Sequence, residues 1–115
     1  MEYRVLAVGD VVGENGLRHL ERCLRPLKKL KDIRFTVVNG ENISGVGLTP
    51  DQADALFAAG ADVVTLGNHT FSRPQIASRL ETDPYLLRPA NFTSHAPGKG
   101  FAIWESGPVR IGVIN

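Results

Sequence analysis

The chain has 115 residues, 43% of them hydrophobic and 22% charged, with a formal net charge of +1. That balance describes one ordinary domain, residues 1–115, with enough apolar material for a core and no electrostatic case for nucleic acid or an anionic membrane. The lone Cys23 rules out an internal disulfide and fits a reducing, cytoplasmic setting, no apolar run is long enough to span a bilayer, and Met1-Glu2-Tyr3-Arg4 lacks the apolar stretch of a signal peptide.

Tyr3 to Val8 reads as a first strand closed by Gly9-Asp10, with a glycine-containing loop over Val11 to Gly16. Leu17, Leu20, Cys23, Leu24, Leu27 and Leu30 then recur at steps of three and four, which predicts an amphipathic helix with Cys23 as a small core residue. Its basic row, Arg18, Arg22, Arg25 and Lys29, reads as a solvated face supported by Glu14/Arg18 and Glu21/Arg25 pairs. Pro26 lacks a backbone donor, so a kink or restart is expected there. Phe35 to Val38 is a second strand ending at once in Asn39-Gly40-Glu41-Asn42. After a loop over Ser44 to Leu48, Thr49-Pro50-Asp51-Gln52 combines a cap, a proline at the first helical position and a capping box. Gly60 suits the left-handed end of that helix.

Asp62 to Leu66 is a third, β-branched strand that stops at Gly67-Asn68-His69. Ser72-Arg73-Pro74-Gln75 starts a short helix to about Leu80, and Tyr85-Leu86-Leu87 is a short fourth strand. Pro97-Gly98-Lys99-Gly100 suits a turn with Gly98 at positive φ, and Phe101–Glu105 with Val109–Ile114 reads as a hairpin. A strand directly before the final Asn115 is expected of a truncated product.

Strands alternating with helices imply a parallel sheet whose carboxyl ends share one edge, where open α/β sheets place their ligands. Three successive strands end in Asp10, Glu41-Asn42 and Asn68-His69. Each alone has a structural reading: a turn cap, a surface acid, a turn residue tolerating left-handed φ, a solvated imidazole. Together they form an oxygen- and imidazole-rich set suited to Mn²⁺, Fe or Zn²⁺, and a carboxylate bridging two ions is the arrangement of two-metal phosphoester hydrolysis.

Gly9-Asp10-Val11-Val12-Gly13, Asn39-Gly40-Glu41-Asn42, Gly67-Asn68-His69-Thr70, Arg88-Pro89-Ala90-Asn91-Phe92 and Pro97-Gly98-Lys99-Gly100 follow one another in the order and intervals of the YmdB-type branch of the calcineurin-like metallophosphoesterases, which the chain resembles over its whole length. The resemblance implies an α/β fold, the N-terminal half of a four-layer αββα sandwich with a mostly parallel sheet and flanking helices. It implies a dinuclear centre of iron or manganese acting on small phosphodiesters such as cyclic nucleotides. By position, Asp10, Glu41 and Asn42 look like ligands of a first metal, Glu41 would bridge to a second held also by Asn68, and His69 resembles the proton donor. Arg88, Asn91 and Lys99 lie in shared motifs and read as turn or packing residues. Family members are more than twice as long and supply three further histidine ligands, whereas this chain has His19, His69 and His95 only, with His19 and His95 matching no ligand. The chain alone is therefore expected to bind metal weakly, to turn over little, to lack the second sheet over one face, and to associate through exposed apolar surface, with homo-oligomers one outcome.

Two alternatives use the same residues differently. A nucleotide-binding domain of Rossmann type would use Gly9, Gly13 and Gly16 at the first turn and Glu41 on a ribose, but the Gly-x-Gly spacing is absent and Asp10 would oppose a pyrophosphate. A non-catalytic interaction fragment would keep the half-fold alone.

Overall fold

The computed structural model describes residues 2–115. Four parallel strands, β1 (Arg4–Val8), β2 (Ile33–Asn39), β3 (Val63–Thr65) and β4 (Leu86–Leu87), lie side by side in the order β1-β2-β3-β4. The helices α1 (Gly13–Lys31), α2 (Pro50–Ala59) and α3 (Ile76–Thr82) fill the crossovers. They share one core with the sheet: Leu17, Leu20 and Leu24 of α1, Leu56 of α2 and Ile76 and Leu80 of α3 pack with Val38, Val64 and Leu86. Among the described residues the strand order runs without reversal, so they form no switch-point crevice of the kind the nucleotide-binding alternative uses.

The opposite face of the sheet is not bare, and the expectation of a missing second sheet is corrected here. The antiparallel hairpin of β5 (Phe101–Ser106) and β6 (Val109–Ile114) turns Ala102, Trp104, Ile111 and Val113 onto Phe35, Val37, Val63 and Leu87. Phe35 and Trp104 meet edge to face, 4.9 Å between centroids. The layers are therefore helices, parallel sheet and hairpin.

Local chemistry explains most elements. The capping box at α2 forms as expected: Thr49 Oγ1 accepts from Gln52 N at 3.3 Å and Gln52 Oε1 accepts from Thr49 N at 3.0 Å. Gly60 closes that helix at φ 125°, and Gly98 takes φ 81°. Several expectations fail in α1. It begins at Gly13, inside the stretch that reads as a loop, and runs 19 residues straight through Pro26. Cys23 is exposed, with Sγ 4.0 Å from His19 Nδ1, and Leu27 and Leu30 are exposed as well. Successive helical residues are about 100° apart, so the face centred on Leu17, Leu20 and Leu24 leaves Cys23, Leu27 and Leu30 to one side. Lys28 occupies the next position on the buried face and donates to Gly60 O at 2.7 Å. Neither expected i,i+4 ion pair of α1 forms: Glu14 accepts from Gln52 Nε2 instead, and Arg25 donates to Ala58 O. α3 starts at Ile76 without a side-chain cap.

Candidate metal and phosphoester site

The register aligns the carboxyl ends of the strands, pairing Val8 with Val38, Asn39 with Thr65 and Thr65 with Leu87. The backbone then holds the segments beyond those ends against each other. Val11 N donates to Asn39 O at 3.1 Å, Gly13 N to Asn42 O at 3.1 Å, and Gly40 N to Thr65 O at 3.0 Å. Asp10, Glu41-Asn42 and Asn68-His69 are thereby carried to one edge.

The side chains make two direct contacts. Asn42 Nδ2 donates to Asp10 Oδ1 at 2.8 Å, joining the first two segments. Glu41 reaches across to the third: its carboxylate lies so close over Gly67 that a Cβ there would overlap it. That close approach is the physical reason for glycine at this position. Asn68 is exposed and His69 half-buried, with Asn68 Nδ2 3.5 Å from His69 Nε2. Asn68 and His69 thus adjoin Glu41 through Gly67. Their turn is closed by Thr70 N donating to Gly67 O at 3.0 Å and Ser72 N to His69 O at 3.1 Å.

Glu41 Oε2 is buried and has no hydrogen-bond partner among the described residues. A carboxylate oxygen withdrawn from water without a donor is costly, and a cation removes that cost. Asp10, Asn42 and Asn68, carried to the same edge, add a second carboxylate and two carboxamides, a hard-oxygen set that fits Mn²⁺ or Fe. The donors therefore suit the metal centre that the resemblance implies. Among the described residues no three His, Cys, Asp or Glu side chains cluster at metal-holding distance, so Asp10, Glu41 and His69 share an edge without converging on one point.

Some residues near the edge escape sequence reasoning. Asn115 donates from Nδ2 to Leu66 O at 2.7 Å and Leu87 O at 3.2 Å, pinning the end of β6 to the ends of β3 and β4. Arg73 donates to Ser44 O at 2.9 Å and Val46 O at 3.2 Å, tying the loop after His69 to the loop after Asn42. Nothing in residue type or spacing marks either. His95 is exposed, in the loop after β4, and contributes nothing to the cluster.

A family model described as YmdB-like protein matches residues 6–115. The chain belongs to this family. YmdB-like relatives include a 2′,3′-cyclic-nucleotide 2′-phosphodiesterase of Bacillus subtilis (strain 168), 39% identical over 113 residues, covering 97% of this chain and 43% of that protein. Among solved structures, a hypothetical protein from Thermus thermophilus superposes with a TM-score of 0.88 at 34% identity, over 96% of this chain and 43% of its own. A novel phosphatase of Mycoplasma pneumoniae gives 0.87 at 27%, over 97% and 42%. The chain therefore spans less than half the length of the relatives it matches.

Proposed function

We propose that this chain carries part of the active site of a metal-dependent phosphoesterase that hydrolyses small phosphodiesters, with 2′,3′- or 3′,5′-cyclic nucleotides as the substrate class. The observation that carries the reading is the buried, unpartnered Glu41 Oε2 at the meeting point of the strand ends. The names of the bacillary phosphodiesterase and the mycoplasmal phosphatase support the same chemistry. Asp10, Glu41 and Asn42 would hold one ion and Glu41 with Asn68 a second, iron or manganese by donor type. When bound, such a pair supplies Lewis-acid activation of an in-line displacement at phosphorus.

The chain's own residues do the rest. Asn42 and Asp10 hold one another in place through their hydrogen bond. Gly67 leaves room for the Glu41 carboxylate between two segments. His69, on a turn pinned at Gly67 and Ser72, donates a proton to the leaving alkoxide, as a positioned imidazolium can. Because the relatives are more than twice as long, the donors here bind metal weakly in this chain alone, and its turnover is low.

Nuclear magnetic resonance of the 115-residue chain with added Mn²⁺ tests the reading. Paramagnetic broadening is expected to centre on Asp10, Glu41, Asn42, Gly67 and Asn68, and to vanish in Glu41→Gln. Broadening spread evenly over surface carboxylates, or unchanged by that substitution, refutes it. Hydrolysis of bis-p-nitrophenyl phosphate by the chain with Mn²⁺ is expected to be slight and to disappear in His69→Ala.

A further inference from the structure

Beside the metal-site candidate, at the end of β4, lies a second feature with the opposite charge. A cavity of about 210 Å³ is lined by Arg88, Phe92, Ser94, Lys99 and Phe101. No acidic side chain among the described residues lines it. Arg88 directly follows Leu87, whose carbonyl accepts from Leu66 N at 2.9 Å, and Leu66 directly precedes Gly67. Continued one residue, the register sets Arg88 level with Leu66, so Arg88 and Gly67 lie on neighbouring segments just past the ends of β4 and β3, offset by one residue. The loops beyond them also touch, since Phe71, two residues after His69, packs on Phe92 with centroids 6.2 Å apart.

Arg88 is the unusual residue. It is 6% exposed, and a buried guanidinium is normally matched by a carboxylate. Here it donates only to backbone carbonyls: Nη1 to Pro89 O at 3.0 Å, Nη2 to Gly98 O at 3.2 Å and Nε to Pro97 O at 3.4 Å. Those contacts use three of its five N–H donors and leave its charge without a counterion. Lys99 also lines the cavity, its ammonium 5.9 Å from the centroid of the Phe101 ring. Neither cation joins any ion pair among the described residues. The cavity wall is rigid at Gly100, where a Cβ would strike the Ala90 backbone.

We propose that this cavity is a subsite for a phosphate group, bound by Arg88, Lys99 and the Ser94 hydroxyl. A planar guanidinium and a point-charge ammonium lining one small cavity suit a tetrahedral oxyanion. The volume admits a phosphate. The proposal deepens the phosphodiesterase reading and rests on it for its meaning: within the small-phosphodiester class it selects substrates with a phosphate besides the diester, as a 2′,3′-cyclic nucleotide bearing a 5′-phosphate has.

The test is a nuclear magnetic resonance titration of the 115-residue chain with inorganic phosphate, in EDTA and at constant ionic strength, with acetate and chloride as comparison anions. Saturable shifts are expected at the Arg88 side-chain N–H and at the amides of Ser94, Lys99 and Gly100. Lys99→Gln, a change at an exposed side chain, is expected to weaken phosphate binding at least about fivefold while leaving the spectrum elsewhere unchanged. Non-saturating shifts, equal shifts with acetate, unchanged affinity in Lys99→Gln, or a response confined to the basic face of α1 each overturn the proposal. EDTA removes the metal from this experiment, so its failure leaves the Mn²⁺ result standing, and failure of the Mn²⁺ experiment leaves the phosphate result standing.

Discussion

Three glycines separate packing from chemistry at the level of single residues. Gly9 is exposed with nothing near its missing side chain, Gly67 faces the end of a flexible glutamate, and Gly100 faces fixed backbone. Gly9→Ala is expected to change stability by no more than about 0.5 kcal/mol, as surface changes usually do. Gly100→Ala must push Ala90 away and is expected to cost about 1–3 kcal/mol or more. Gly67→Ala is the informative case. The Glu41 carboxylate can swing aside, so stability should fall by only about 1 kcal/mol, yet the oxygen that waits for a cation is displaced. Mn²⁺ affinity is expected to drop about tenfold, equivalent to about 1.4 kcal/mol. Urea titrations and Mn²⁺ broadening on the three variants check the set, and equal metal affinity in Gly67→Ala and Gly9→Ala would contradict it.

At the scale of elements, the sequence is legible where structure is decided locally. The start of α2 rests on residues three apart, Thr49 and Gln52, and both capping bonds are present. Thr49→Ala is expected to cost about 1 kcal/mol, measured by urea denaturation. The third strand and its abrupt end are legible for a similar reason, since a β-branched run followed by glycine leaves few choices. α1 is less legible because an apolar stripe states a period without stating which flank meets the core. Cys23 and Leu30 keep the spacing and still point away from Leu24. Pro26 marks a break in sequence, yet the packing of Leu17, Leu20 and Leu24 and the Lys28 bond to Gly60 carry the helix past it. That continuity has a cost, because an interior proline removes a helix bond. Pro26→Ala is expected to stabilise the chain by about 1 kcal/mol or more, raising Tm by roughly 3–6 °C. A lowered Tm would show that α1 depends on the proline ring rather than tolerating it.

At the scale of the whole molecule, the candidate site is legible through topology: a parallel sheet puts Asp10, Glu41 and Asn68 at one edge whatever the loops between them do. The hairpin's role over the sheet is not legible, because β5 and β6 reach Phe35 and Val63 only through long-range packing that no local pattern encodes. Their alternation leaves an apolar outer face. Phe101, Ile103 and Ile114 are 56%, 52% and 81% exposed, and the register sets Phe101 opposite Ile114. β1 adds Val5, 52% exposed. Apolar side chains grouped on one exposed face, as Phe101, Ile103 and Ile114 are on the hairpin, drive association. The chain is therefore expected to self-associate as its concentration rises. Placing charges on the outer face, Ile103→Lys with Ile114→Lys, should restore a monomer in sedimentation velocity. Because both side chains are already in solvent, stability should change by no more than about 0.5 kcal/mol per site. Mn²⁺ broadening at the strand ends should also be unaffected, since neither isoleucine touches the Glu41 cluster. An average mass that does not fall in the double variant would place the association surface elsewhere, with the open face of β1 around Val5 the next candidate.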